Sequence, residues 1–365
     1  MKRRDFVAGV GLGGLATGLA GCAQSESTAN CDSGGDGQTW KWNMVTSWPP
    51  LFPGLGTGAD YLARSIEAAT GGRIKVKVYA AGELVPALEV FDAVASGAAQ
   101  LGHTGPYYWK GKSAATQLFG AVPFGMNALE QSAWMNFGGG HELYQKLYAR
   151  FNLVPFIAGH SGVQMGGWFN REINSIDDIK GLKMRIPGLG GEVFKRAGGV
   201  PVNRPGGEIF TALQTGDIDA TEWVGPGNDL SFGFYKAARY YYYPGWHEPN
   251  AALECIINKD TFNELPDDLQ TLVRIACDST SLKMLAEYTY MNPRDLKTLV
   301  EKHGVELREF PADVMTRLKE ISLEMLDEMA AADSDFGEIY GSYKNFFSTV
   351  KPWHNISEEA YYRAR

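Results

Sequence analysis

The chain has 365 residues, 44% of them hydrophobic and 21% charged, with a formal net charge of −8. This is ordinary globular composition, long enough for two lobes that each bury a core. The acidic balance and the lack of a long basic run argue against nucleic acid as a partner.

Lys2-Arg3-Arg4-Asp5-Phe6 is a twin-arginine pair followed by a hydrophobic residue, and an apolar, glycine-rich run extends from Val7 to Ala20. That run is too short and too weakly apolar for an ordinary membrane span. Leu19-Ala20-Gly21-Cys22 then resembles a bacterial lipobox, with Cys22 as the lipidated residue. Residues 1–21 are therefore expected to be a twin-arginine lipoprotein signal peptide, and 22–38, rich in Ser, Gly, Asp and Thr, a flexible tether. Cys31, Cys255 and Cys277 form no Cys-x-x-Cys motif or Cys/His cluster, which argues against zinc. Cys255 and Cys277 are either a disulfide or buried thiols.

Strand and helix signals then alternate. Trp40–Thr46 and Ile74–Tyr79 show period-two patterns, separated by a helical pattern over 57–70 that stops at Gly71-Gly72. A helix over 85–95 and a short strand over 99–102 complete a β-α-β-α-β order, which predicts an open, mainly parallel sheet. A second set follows: a helix over 131–151, strands over 154–158 and 166–169, and a strand at 182–186. A helix at 191–197, a strand at 200–202, a helix at 208–215 and a strand at 219–224 come next. Tyr240–Tyr243 reads as a strand used mostly for packing. Beyond Thr261 the chain is largely helical, with amphipathic stretches at 267–290 and 311–331.

The most informative stretch is Asp178-Ile-Lys-Gly-Leu-Lys-Met-Arg-Ile-Pro-Gly188, where Arg185 lies inside an apolar strand. An arginine in such a position must be paired, because an uncompensated buried charge is strongly unfavourable. Two partners fit: a nearby Asp or Glu in a structural ion pair, or a ligand carboxylate matched by the planar guanidinium fork.

With Gly198-Gly-Val-Pro-Val202 and Glu208-Ile-Phe-Thr-Ala-Leu-Gln-Thr-Gly-Asp-Ile-Asp219, this stretch resembles the DctP-type solute receptors of TRAP transporters. The resemblance runs from about residue 40 to beyond 300. It implies an α/β, two-lobe periplasmic-binding-protein-like fold with a hinge and a helical C-terminal extension. Lobe I would comprise 39–162 with 251–290, lobe II 163–250 with 291–310, and the extension 311–365. It also implies a receptor, not an enzyme, that passes small organic acids to TRAP membrane subunits, with Arg185 on the substrate carboxylate.

Where dicarboxylate and sialic acid receptors usually have an Asn-rich segment, this chain has Ala220-Thr-Glu-Trp-Val-Gly-Pro226. With Gln164 in Ser161-Gly-Val-Gln-Met-Gly-Gly167 and Glu248 in Gly245-Trp-His-Glu-Pro249, it resembles the branch that binds 2-oxo or 2-hydroxy acids with a metal ion. The resemblance implies that Gln164, Glu222, the Trp223 carbonyl and Glu248 surround the cation, with Gln164 and Trp223 also beside the substrate. Two glutamates, a substrate carboxylate and Arg185 sum to about −2 in a closed cleft, which leans toward Ca²⁺ over Na⁺. His247 beside Glu248 is a poorer candidate ligand, because imidazole suits transition metals.

Tyr107 and Tyr108, in Gly105-Pro-Tyr-Tyr-Trp109 after a strand end, are candidate walls, either as ring and hydroxyl on the ligand or as core aromatics. Trp48 is a further candidate of that sort. The stripe Leu318, Ile321, Met325, Leu326 and Met329 packs either on the protein's own lobes or across a twofold dimer. The rival readings are a periplasmic metal-dependent enzyme acting on a small organic acid, a receptor for an ABC importer, and a structural lipoprotein. No Gly-x-Ser-x-Gly or HExxH motif supports the first.

Overall fold

The computed structural model describes residues 37–365. The twin-arginine pair, Cys22 and Cys31 lie outside the described residues.

Strands β1 (Trp40–Thr46), β2 (Ile74–Tyr79) and β3 (Leu101–Thr104) are linked by helices α1 (Leu55–Ala69) and α2 (Val90–Ala95). β1 pairs in parallel with both β2 and β3, as crossover helices require. The helix expected from 85 begins only at Val90, because Pro86 disfavours helical geometry just before it. The long helix expected over 131–151 is two helices, α3 (Ala128–Phe137) and α4 (Gly140–Tyr148). Asn127 and Glu130 start α3 with a reciprocal capping box, and left-handed Gly139 (φ 84°) breaks the run.

From β4 (Leu153–His160) the chain enters a second sheet. It contains β5 (Gly167–Phe169), β6 (Lys183–Arg185), β7 (Val200–Val202), β8 (Ala220–Thr221) and β9 (Tyr240–Tyr243), with helices α5 (Gly188–Arg196), α6 (Gly206–Thr215) and α7 (Pro226–Phe232). The chain then returns through β10 (Ala252–Asn258), α8 (Lys259–Asn263) and the 31-residue α9 (Asp267–Lys297). β11 (Glu306–Glu309), α10 (Ala312–Ala332), α11 (Ser334–Ile356) and α12 (Glu358–Ala364) complete it.

The sheet orders are β2-β1-β3-β10-β4 and β11-β9-β5-β8-β6-β7. Both are mixed: two of four pairs in the first and three of five in the second are parallel. β10 comes back from the second sheet and slots antiparallel between β3 and β4, and β5 runs antiparallel to both β8 and β9. Helix α9 packs on α1 and β4 from the first sheet and on α7 from the second, so it spans both.

Leu318, Ile321, Met325 and Leu326 are buried against Phe336, Ile339, Tyr340 and Tyr343 of α11, with Met329 partly buried beside them. The stripe is thus covered by the protein's own chain, the first of its two alternatives. Tyr343 ties α11 to the body, its hydroxyl oxygen accepting from the Met126 N–H at 2.6 Å. Cys255 and Cys277 are free, buried thiols.

Candidate functional site

The strand register carries Arg185 to the site. Arg185 lies opposite Thr221 in the β6–β8 pair, and the Glu222 N–H donates to the Arg185 carbonyl at 3.2 Å. Two further segments are knitted on by backbone bonds. The Met165 N–H donates to the Val224 carbonyl (3.1 Å), and the Gln164 N–H donates to the Glu248 carbonyl (3.3 Å). The Gly245 N–H donates to the Gln164 carbonyl at 2.9 Å, an approach so close that any Cβ at Gly245 would collide with that oxygen. Gln164, Glu222, Trp223 and Glu248 therefore converge although more than 80 positions separate the first from the last.

All four are buried, and Arg185 is 1% exposed. The Arg185 guanidinium donates from Nη1 to Glu222 Oε1 and from Nε to the Arg204 carbonyl at 3.2 Å, and it lies 4.8 Å from the Trp223 ring centre. Burial opposes its charge, but the Glu222 carboxylate and neighbouring groups outweigh that and hold its pKa above the ordinary value. The second Glu222 oxygen lies 3.3 Å from His247 Nε2. Gln164 Nε2 donates to Glu248 Oε2 at 2.7 Å. Burial, reinforced by the nearby Glu222 carboxylate, pushes the Glu248 carboxyl well above its usual range.

The first sheet supplies a neutral wall. Tyr107 and Tyr108 stand edge to face with centroids 4.7 Å apart, and the Tyr108 hydroxyl lies 3.5 Å from Arg185 Nη2. Burial raises the Tyr107 pKa well above the ordinary value and pushes Tyr108 up to about 12, so both remain hydroxyls. Trp48 lines the same space and donates from Nε1 to His103 Nδ1 at 2.8 Å. His103 Nε2 faces the Ala158 carbonyl at 3.1 Å, and burial lowers its pKa to about 4, so the ring is a neutral clamp. Leu55, Ser161, Pro187, Val224, Ala251 and Leu253 complete the lining, and the enclosed space is about 10 Å³.

The donor set fits a hard cation. Gln164 Oε1, Trp223 Nε1 and His247 Nδ1 are buried without a hydrogen-bond partner, which is unusual in a well-packed interior. Glu222 is balanced by Arg185, and a cation beside Glu248 would favour its carboxylate against the cost of burial. Among the described residues no three His, Cys, Asp or Glu side chains cluster as a metal site. Two carboxyl groups and an amide oxygen are hard oxygen donors, which suit Ca²⁺ or Na⁺ rather than a transition metal.

The sequence reading passed over the aliphatic lining and the contact of His247 with Glu222. It also missed Glu254, a fully buried carboxylate in the apolar strand Ala252-Leu-Glu-Cys-Ile-Ile257. The signal was available, since a charge inside an apolar strand is what marked Arg185.

The sequence pattern of the family described as Bacterial extracellular solute-binding protein, family 7 (DctP) matches residues 44–333. The chain is 42% identical over 361 residues to the Monocarboxylate 2-oxoacid-binding periplasmic protein of Nostoc sp., covering 99% of this chain and 98% of that one. It is also similar to a TRAP periplasmic solute binding protein from Pseudoalteromonas atlantica solved with bound sodium and pyruvate. There the TM-score is 0.87 at 40% identity, over 90% of this chain and 100% of that one. A counterpart from Colwellia psychrerythraea, solved with bound calcium and pyruvate, gives the same TM-score of 0.87, identity of 40% and coverage of 90% and 100%.

Proposed function

We propose that this chain, which belongs to the bacterial extracellular solute-binding protein family 7 (DctP), is the receptor of a TRAP transporter for a small 2-oxo or 2-hydroxy monocarboxylate. It captures a pyruvate- or lactate-like acid together with a metal ion by closing two lobes, and delivers the acid to the membrane subunits. The observation that carries this reading is one buried arginine facing two buried glutamates beside an amide oxygen with no partner.

In this reading Arg185 seats the substrate carboxylate, and Gln164, Glu222, the Trp223 carbonyl and Glu248 hold the cation. Gln164 and Trp223 also flank the substrate, while Tyr107 and Tyr108 close over it from the opposite lobe and exclude water. The need for a cation follows from size. Pyruvate has about six non-hydrogen atoms, and the best tiny ligands reach about −1.5 kcal/mol per atom, so about −9 kcal/mol is the ceiling. Micromolar capture, about −8.2 kcal/mol, therefore needs nearly every polar atom matched. A cation shared by the carboxylate and the 2-oxygen supplies that match. Relatives with bound sodium and with bound calcium support either ion, and the charge count leans to Ca²⁺.

We further propose a periplasmic location reached by the twin-arginine route, with a lipid anchor at Cys22 that cell fractionation would test. A homodimer through the C-terminal helices would use Trp353, Ile356, Tyr361 and Tyr362, all exposed, since the α10 stripe is already covered. Light scattering reads that state.

A calorimetric screen of 2-oxo and 2-hydroxy acids in sodium-free buffer, with added calcium, added sodium or a chelator, tests the central reading. The expected result is tight binding with calcium or with sodium that is lost in chelator alone, with the acid recovered unchanged. Binding indifferent to cations would count against the shared-ion site, and consumption of the acid would favour a metal-dependent enzyme.

A further inference from the structure

We propose that Glu222 is an internal competitor for the carboxylate seat on Arg185, and that the cation releases it, so that the receptor loads cation before acid. This rests on the receptor reading above and adds to it an order of loading and a second role for Glu222.

Three observations carry the inference. The first is strand register. Arg185 and Glu222 belong to neighbouring strands of one sheet, with Arg185 opposite Thr221 and the Glu222 N–H on the Arg185 carbonyl. Swinging the two sheets apart leaves this pair intact, so lobe opening alone does not free the arginine. Only a competitor for one partner does.

The second is how the carboxylate is held. One Glu222 oxygen accepts from Arg185 Nη1 and the other lies 3.3 Å from His247 Nε2. Of the remaining Arg185 donors, Nε is spent on the Arg204 carbonyl at 3.2 Å and Nη2 has only a long 3.5 Å approach to Tyr108. An incoming carboxylate thus finds one prong of the guanidinium fork taken, and two like charges beside it.

The third is space. The lining side chains leave about 10 Å³, room for about one water and too little for an acid of pyruvate's size. An acid seated in this arrangement therefore needs lining side chains to shift, and Glu222 stands on the guanidinium prong it would take. A cation bound by Glu248 and the unpartnered Gln164 Oε1 gives Glu222 a new partner, and its shift toward the ion opens both the volume and the guanidinium prong.

Equilibrium dialysis of pyruvate in sodium-free buffer separates this from a cation that merely adds contacts. The wild-type chain with chelator is expected to bind about a hundredfold more weakly than with calcium. Glu222→Ala with chelator is expected to bind about tenfold more tightly than the wild type with chelator, and to be indifferent to added calcium. Glu222→Gln, which keeps the side-chain size, is measured in parallel and shifts the same way; cooperative thermal unfolding identifies which variant is folded. A folded variant that binds no better than wild type in chelator overturns the inference alone. Wild-type protein that binds no pyruvate with calcium or sodium overturns the receptor reading and this inference together.

Discussion

Two buried acidic regions of this molecule solve the same electrostatic problem differently. Beneath the first sheet's aromatic wall, Glu254 is fully buried without an opposing charge. Its carboxylate accepts from Trp109 Nε1 at 2.5 Å and from the Tyr144 hydroxyl. Burial raises its pKa to about 7, with the hydrogen bonds from Tyr144 and Trp109 pulling it back. In the cleft, Glu222 and Glu248 share one arginine, and burial with the neighbouring carboxylate drives Glu248 well above its usual range. The first region is closed, because its donors are rigid aromatics already aimed at the carboxylate. The second keeps a buried amide oxygen without a partner beside a carboxyl that burial holds above its usual range, so it is arranged for a guest. Burial of acids does not by itself mark a binding site.

The contrast is tested most severely at Arg185. Arg185→Ala leaves Glu222 buried and unpaired, which lowers stability by about 3–5 kcal/mol in urea unfolding with chelator present. Arg185→Ala with Glu222→Ala recovers part of that loss. In the single variant, acid affinity falls by about a hundredfold, near 2.7 kcal/mol, in calorimetry with metal. Unchanged stability would mean that the pair is not what holds the two charges.

A smaller effect is expected at Glu254. Its folded carboxyl has a raised pKa, so between its ordinary range and about pH 7 the folded chain holds a proton that the unfolded chain has lost. Stability therefore falls as pH rises through that window, by about 3 kcal/mol for this group. Asp229, raised to about 7 by burial against its bonds from Tyr241 and Trp168, contributes a slope of the same sign. Glu254→Gln should remove about half of the combined slope in unfolding measured between about pH 5 and 8. A slope identical to wild type would show that Glu254 is ionised throughout.

The smallest change is Trp109→Phe, which deletes one donor to Glu254 and keeps an aromatic ring. We expect a loss of about 1 kcal/mol near pH 5, where the carboxyl is protonated, and a larger loss near neutrality. Equal losses at both pH values would break the contrast drawn here, since the donor would then not be supporting a charge.

Much of the fold was legible locally. β1 and β2 occupy the predicted spans because period-two patterning declares a strand regardless of context. The helix over 131–151 was misread because its apolar spacing survives the break, although Gly138-Gly139-Gly140 carries the same stop signal as Gly71-Gly72. The parallel pairing of β1 with β2 and β3 is as expected, but the antiparallel half of the first sheet was not legible, because nothing within Ala252–Asn258 states that this strand returns between β3 and β4.

For the site, the sequence by itself established that Arg185 needs a partner, because a guanidinium in an apolar strand is intolerable alone. The family likeness nominated Gln164, Glu222, Trp223 and Glu248. Which partner Arg185 holds was decided only by the tertiary structure: the β6–β8 register sets Glu222 against it, and His247 holds the other oxygen. Charge and hydrophobicity are properties of a residue and can be read from a string of letters. Pairing is a property of distance, and the distances between residues 164, 185, 222 and 248 exist only once β6, β8 and the segments around Gln164 and Glu248 have come together.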